Sequence, residues 1–137
     1  MTKDTVHVLM VEDDDVDARV VEKAFKKARI ANPVTRATDG LEALDMLKNG
    51  QIKRPYLILL DLNMPRMGGL EFLAEIRADP DMHDSIVFVF TTSRDEQDRW
   101  QAYQHNISGY LVKDNAGSDF LDAINMLDHY WRVVEFP

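Results

Sequence analysis

Three short apolar runs restrict the fold classes that this chain can adopt. They are residues 6–11, 56–60 and 86–90, and each ends at a polar or acidic residue. Nearly continuous apolar character, without the alternation of a half-exposed strand, is typical of strands covered on both faces of a parallel sheet. A helical membrane span needs about 20 apolar residues. We therefore expect buried parallel strands in a protein that is not embedded in a membrane.

Helical patterns separate these strands. Apolar residues recur at helical spacing in residues 16–28, 41–47, 72–76 and 120–127. Ser93 with Glu96 predicts a capping box for a more polar helix, and Asn106 predicts its left-handed end. We expect the last helix to stop near Tyr130, where the apolar stripe is lost.

Strands and helices thus alternate along the chain. Residues 34–37 and 109–112 predict two weaker strands. Five strand–helix repeats indicate a doubly wound α/β fold, with a five-stranded parallel sheet and helices on both faces. In such sheets the ligand site lies beyond the carboxyl ends of the strands.

Charged and polar residues follow four of the strands directly. They are Glu12 and Asp13 after the first strand, Asp61 after the third, Thr91 after the fourth and Lys113 after the fifth. Because these strand ends share one edge of the sheet, we expect the side chains to converge. Three neighbouring carboxylates repel one another unless a cation lies between them. Mg²⁺ suits such a site, because carboxylates, carbonyl oxygens and waters are its usual ligands.

The same group of residues is suited to phosphoryl chemistry. Asp61 is a carboxylate that can attack a phosphoryl donor, and the backbone carbonyl of Asn63 can complete the metal site. Lys113 can neutralise the developing charge, and the Thr91 hydroxyl can hydrogen-bond the phosphoryl group. An ordinary structural role is open to Lys113 as an ion-pair partner. For the acidic residues that follow Asp13, helix capping is the expected role.

Composition narrows the range of partners and chemistry. The net charge of −8 argues against nucleic-acid binding, which rests on a basic surface. The absence of cysteine excludes disulfides and thiol catalysis, and it fits a reducing cytoplasm. The four histidines show no ligand or triad spacing. Composition therefore favours a cytoplasmic protein and offers no thiol-based or histidine-based catalytic site.

Four segments in this order resemble the receiver domains of two-component response regulators. They are residues 8–14, residues 59–65 with Gly68-Gly69, residues 90–93 and residues 109–113. The resemblance implies a flavodoxin-like sheet with strand order 2-1-3-4-5. It also implies that Asp61 accepts a phosphoryl group from a sensor histidine kinase. The implied Mg²⁺ site, which can also take Mn²⁺, consists of Glu12, Asp13, Asp61 and the carbonyl of Asn63.

The resemblance extends to the residues that respond to phosphorylation. It implies that Thr91 and Lys113 contact the phosphoryl group, and that Tyr110 is the switch aromatic. One position departs from the family, because Asp114 stands where receivers usually carry a proline after the lysine. Either the Lys113–Asp114 peptide is cis, at a cost of about 3 kcal/mol, or Lys113 approaches the site differently.

Further segments are most similar to the single-domain regulators that pair with bacterial phytochromes. These are residues 62–65, 76–80, 91–93 and 130–137. We therefore expect a receiver domain over residues 1–130 without an effector domain, a bacteriophytochrome kinase as donor, and a downstream protein as target. Two alternatives stay open: a pseudo-receiver that signals without phosphate, and a small flavodoxin-like phosphatase.

The end of the chain predicts a dimer contact. Residues 131–137 form an expected extended arm with four large apolar side chains, Trp131, Val133, Val134 and Phe136. An exposed apolar segment of this kind needs a partner to cover it. A twofold homodimer supplies one. The alternative is that the segment, Trp131 above all, folds back on its own domain.

Overall fold

The computed structural model describes residues 5–113 and 118–137, and within the second range the side chains from residue 121 onward. Strands and helices alternate strictly through these residues. The elements are β1 His7–Val11, α1 Asp15–Lys27, β2 Val34–Ala37, α2 Gly40–Lys48, β3 Tyr56–Leu60, α3 Gly69–Ala78, β4 Ile86–Thr91, α4 Glu96–Gln104, β5 Gly109–Val112 and α5 Ser118–Val133. No helix among the described residues has the length and apolar character that a membrane span requires.

The five strands form one parallel sheet in the order β2-β1-β3-β4-β5, which confirms the predicted fold class. β3 lies at the centre, and all five of its residues are buried. In register, Val11 pairs with Leu60 and with Ala37, and Thr91 pairs with Val112. The ends of β1, β2 and β3 are therefore level, whereas β4 continues two residues further, because Leu60 pairs with Val89. The two weak strands, β2 and β5, form at the predicted bounds.

Two separate hydrophobic cores cover the faces of the sheet. On one face Leu9 and Val11 of β1 pack with α2, α3 and Ala102 of α4. On the other face Val8 and Met10 of the same strand pack with α1 and α5. Alternate residues of one strand point to opposite faces, so a strand buried on both sides must be apolar throughout.

The start of α4 differs from the predicted capping box. The N-cap is Asp95, whose carboxylate accepts hydrogen bonds from the backbone N–H groups of Gln97 and Asp98. Ser93 lies outside the helix and donates its hydroxyl to Asp98 at 2.7 Å. A carboxylate two residues later is the better acceptor at a helix N-terminus. The end of the helix is as predicted, because Asn106 has a φ of 58°.

The end of α5 also corrects the sequence prediction. The helix continues to Val133, past the stop expected near Tyr130 and across the boundary expected between residues 130 and 131. Trp131 is 5 % exposed, and its ring centroid lies 6.1 Å from that of Phe25 on α1. Its Nε1 donates to Asp128 at 3.1 Å. Trp131 is therefore part of the core rather than of an arm.

The residues beyond α5 stay close to their own domain. The ring of Phe136 is half-buried and stands edge-on to Tyr130, with the centroids 6.1 Å apart. The backbone N–H of Val134 donates to the Tyr130 carbonyl at 3.0 Å. Val133, in contrast, is 65 % exposed. The segment partly folds back, and its exposed apolar surface is smaller than the sequence predicts.

Candidate functional site

The predicted site residues converge at the carboxyl edge of the sheet. The backbone N–H of Asp61 donates to the Val11 carbonyl at 3.0 Å, so that Asp61 lies beside the end of β1. The N–H of Lys113 donates to the Thr91 carbonyl at 2.8 Å and holds Lys113 at the end of β4. The sheet ladder therefore extends one residue beyond the strands, and it fixes the backbones that carry the site.

Three carboxylates form a compact group at this edge. One oxygen each from Glu12, Asp13 and Asp61 lies within 4.8 Å of the others. Glu12 and Asp61 are buried, whereas Asp13 is exposed, so the group is open to solvent on one side. Oxygen ligands at this spacing, with room for waters, fit a hard divalent cation such as Mg²⁺.

Lys113 reaches into the same group. Its side chain is 6 % exposed, and its Nζ forms an ion pair with the carboxylate of Glu12. The same Nζ lies 3.1 Å from Asp17 Oδ2 and 3.8 Å from Asp61 Oδ2. It also lies 5.5 Å from the centre of the Phe90 ring, over the face of that ring. The ammonium group is therefore paired mainly with Glu12 and Asp17, and Asp61 lies at the limit of ion-pair distance.

Burial strongly affects the charges of this group. Burial raises the pKa of Glu12 to about 7; Lys113 opposes this rise, and the nearby charge of Asp61 adds to it. Burial alone would lower the pKa of Lys113, but the carboxylates of Glu12, Asp61 and Asp17 outweigh it and raise that pKa. Three clustered carboxylates thus exceed what one ammonium can neutralise. This excess of negative charge is a second reason why the residues fit a divalent cation.

Thr91 and Tyr110 meet at a common residue, Ser93. Thr91 is fully buried, and its Oγ1 accepts a hydrogen bond from the Ser93 N–H at 3.3 Å. The Tyr110 hydroxyl donates to the Ser93 carbonyl at 2.9 Å. Burial raises the pKa of this hydroxyl, which stays protonated as a donor. The loop between β4 and α4 is therefore held from both sides by the two residues that the sequence predicts to respond to phosphorylation.

The loop after Asp61 is closely packed at its end. A Cβ atom at Gly69 would lie 2.5 Å from the backbone oxygen of Asp61 and 2.7 Å from the Cα of Leu62. The Gly69 N–H donates to the Leu62 carbonyl at 2.9 Å. The first residue of α3 is therefore in direct contact with the peptide group of Asp61, and glycine is needed there because it has no Cβ.

Some residues that shape the site were not predicted for that role. Asp39, the N-cap of α2, accepts a hydrogen bond from Arg66 Nε at 2.6 Å and so fixes the loop after Asp61. Arg36 contacts the turn that carries Glu12 and Asp13. Arg36 lies within β2 and Asp39 lies two residues after it. Neither position has a distinctive local pattern, so the sequence gives no signal for these contacts.

Two predicted features stay as predictions. Asn63 is exposed in the loop after Asp61, and its proposed ligand is a backbone carbonyl. The Lys113–Asp114 peptide lies outside the described residues.

Comparison with known proteins identifies the class. Residues 8–125 match the response regulator receiver domain family. The chain belongs to this family, whose members are signalling proteins rather than enzymes. Receiver domains bind a divalent cation and interact with sensor histidine kinases.

Within the family, the chain is related to the regulators of phytochrome signalling. It is 36 % identical over 135 residues to response regulator Rcp1 of Synechocystis sp., covering 95 % of this chain and 92 % of that protein. The Mn²⁺-bound form of Rcp1 superposes with a TM-score of 0.84 at 34 % identity, over 96 % of this chain and 99 % of that one. The phosphorylated cyanobacterial phytochrome response regulator RcpA gives a TM-score of 0.87 at 31 % identity, over 98 % and 99 % of the two chains.

Proposed function

We propose that Asp61 accepts a phosphoryl group from a sensor histidine kinase and that Mg²⁺ is required. The observation that carries the proposal is the meeting of Glu12, Asp13 and Asp61 within 4.8 Å, with the Nζ of Lys113 3.8 Å from Asp61. In the transfer, an oxygen of Asp61 attacks phosphorus while the bond from phosphorus to the imidazole nitrogen of the donor breaks. The released imidazole takes up a proton.

Each of the other residues has a defined task in this proposal. Lys113 pairs with the carboxylates before the reaction and stabilises a phosphoryl oxygen afterwards. The hydroxyl of Thr91 turns from Ser93 to the phosphoryl group, and Tyr110 follows this change because it holds the same loop. Glu12, Asp13, Asp61 and the carbonyl of Asn63 hold the ion. When bound, Mg²⁺ neutralises the charge that the incoming phosphoryl group adds to the site.

We further propose that the donor is a bacteriophytochrome kinase, acting in the cytoplasm, and that a downstream protein reads the phosphorylated surface. Support comes from relatives that are named for this pathway. They include RcpA and the bacteriophytochrome response regulator AtBRR, which is 32 % identical with a TM-score of 0.74 over 97 % of this chain and 99 % of that one.

A homodimer is the third part of the proposal. On α5, Met126 is 40 % exposed and Val133 is 65 % exposed. They are seven residues apart, so that they lie on one face of the helix. These two exposed apolar side chains, together with the apolar residues that follow α5, fit a twofold contact with a second copy.

Phosphoryl uptake tests the central assignment. The protein is treated with acetyl phosphate and Mg²⁺, and the mass of the intact chain is measured. We expect one phosphoryl group on the wild type, none on Asp61→Asn, and none on the wild type when the metal is chelated. Asp45→Asn, an exposed carboxylate on α2, is the matched control and should be phosphorylated normally.

Phosphate on Asp61→Asn at the wild-type level would refute the assignment. A wild type that takes up no phosphoryl group from acetyl phosphate or from a kinase would favour the pseudo-receiver alternative. The meeting of Glu12, Asp13, Asp61 and Lys113 supports phosphoryl transfer over that alternative.

A further inference from the structure

Arg36 of β2 connects the two ends of the turn between β1 and α1. Its Nε donates a hydrogen bond to the backbone carbonyl of Glu12 at 2.9 Å. Its Nη1 forms an ion pair with Asp15 Oδ1 at 2.8 Å, at the first residue of α1. One planar guanidinium group thus spans residues 12–15 from a neighbouring strand.

This turn carries two of the three carboxylates of the site. Glu12 itself accepts one contact of Arg36 through its carbonyl, and Asp13 lies between Glu12 and the second contact, Asp15. Within the turn, the N–H of Asp14 donates to Glu12 Oε2 at a long 3.3 Å, and the N–H of Asp17 donates to Asp14 Oδ1 at 3.0 Å. Arg36 adds two contacts from outside the turn, one at the end of β1 and one at the start of α1. Together they fix the separation between these two elements.

The side chain of Arg36 is poorly placed for stability alone. Its Nη2 is buried and has no hydrogen-bond partner among the described residues. A buried donor without a partner disfavours the folded state. Its partner Asp15 is 72 % exposed, so this ion pair is worth little. The contact with the Glu12 carbonyl is therefore better explained by the geometry of the turn than by a gain in stability.

We propose that Arg36 is a positioning residue for the metal site. It holds the turn so that the carboxylates of Glu12 and Asp13 meet Asp61 at ligand spacing before the ion arrives. The inference rests on the proposed Mg²⁺ site. It adds a residue that acts through the turn, because the hydrogen bonds of its guanidinium go to Asp15 and to a backbone carbonyl and none goes to the carboxylates of the site.

The direction of the effect separates positioning from electrostatics. A positive charge beside clustered carboxylates opposes the binding of a second cation. If Arg36 acted only through its charge, its removal would tighten Mg²⁺ binding, and a lysine in its place would leave binding unchanged. If Arg36 acts by positioning, both changes weaken binding, because lysine cannot span the turn with two directed hydrogen bonds.

The experiment is a calorimetric Mg²⁺ titration of the wild type, Arg36→Met and Arg36→Lys, with Arg54→Met as the matched control. Arg54 makes the same kind of contacts, to the Asp81 carbonyl and to Asp84 Oδ1, both at 2.8 Å. It precedes β3 and so lies at the opposite edge of the sheet. We expect Mg²⁺ to bind about tenfold more weakly to both Arg36 variants, the lower end of the loss seen when an outer partner of a metal ligand is removed. Arg54→Met should bind as the wild type does.

Unchanged or tighter binding in Arg36→Lys overturns the inference, provided that the wild type binds Mg²⁺. If the wild type itself does not bind Mg²⁺, the proposed function fails and the inference fails with it. Equal weakening in Arg54→Met would show a general loss of stability and would also overturn it. Urea unfolding of the same proteins checks that the variants are folded during the titration.

Discussion

At the scale of single residues, Asp39 joins two elements. Its carboxylate caps α2 by accepting the Glu42 N–H at 2.9 Å, and it also pairs with the guanidinium of Arg66. Burial alone would raise the pKa of Asp39, but these hydrogen bonds outweigh burial and hold the pKa below its usual value. The ionised form is therefore the one that the folded protein stabilises.

Asp39→Asn should lower the free energy of unfolding by about 1 kcal/mol near pH 7, since the partner Arg66 is largely exposed. The amide oxygen still caps α2. Because the folded pKa is depressed, this stabilisation is present above the unfolded pKa of about 3.9 and is lost as the pH falls through the folded pKa. Urea unfolding is measured from pH 7 downward for the wild type and for Asp39→Asn. The difference between their free energies of unfolding should disappear below about pH 4. Asp45→Asn serves as the control, and a difference independent of pH would contradict the explanation.

The residues of the site were predicted from the sequence, whereas the residues that hold the neighbouring loops in place were not. Asp61 and Lys113 follow apolar strands directly, and the sheet alone brings such residues together. Arg36 and Asp39 act on loops whose paths depend on tertiary contacts, and no local pattern encodes these paths. For the same reason the pairing of Thr91 and Tyr110 at Ser93 was not foreseen, although both residues were selected.

At the scale of elements, α5 shows how packing extends a helix. The apolar stripe of its earlier turns weakens after Leu127, which is why a stop near Tyr130 was expected. Trp131 nevertheless fits against Phe25 of α1, and burying this side chain stabilises one more turn. Tertiary contacts of this kind override a local pattern, so helix ends are harder to predict than helices.

Replacement of two neighbouring residues tests this description of α5. Trp131→Ala should lower the free energy of unfolding by about 3 to 5 kcal/mol, as large core truncations do. Val133→Ala, at an exposed position, should change it by about 0.5 kcal/mol or less. Urea unfolding monitored by circular dichroism gives both values. If the two changes proved equally mild, Trp131 would belong to a surface arm after all.

At the scale of the whole molecule, the two cores cover both faces of the sheet. α1 and α5 close one face, and α2, α3 and α4 close the other. The exposed apolar residues of α5 are therefore not needed by the fold, which leaves them available for a second copy of the chain. Val16 on α1 is exposed to the same extent as Val133, 65 % in each case. It provides a comparison at the opposite end of the same helix layer, because α1 begins at the carboxyl edge of the sheet and α5 ends toward the amino edge.

Val133→Glu should weaken self-association at least about tenfold, which corresponds to about 1.4 kcal/mol, because it places a charge in an apolar contact. Val16→Glu should leave the association unchanged. Sedimentation velocity of the full-length proteins at micromolar concentration measures both effects. A wild type that sediments as a monomer would count against the dimer, as would equal effects of the two substitutions.

The contact between Gly69 and the peptide group of Asp61 affects how genetic data on this protein should be interpreted. The position has no functional group, yet any side chain there pushes the backbone that carries the carboxylate proposed to accept the phosphoryl group. Variants that silence signalling therefore fall into two classes that a screen cannot separate by phenotype: those that remove a reacting atom and those that only displace it. Loss of signal on changing a residue is for this reason no proof that its side chain takes part in the reaction.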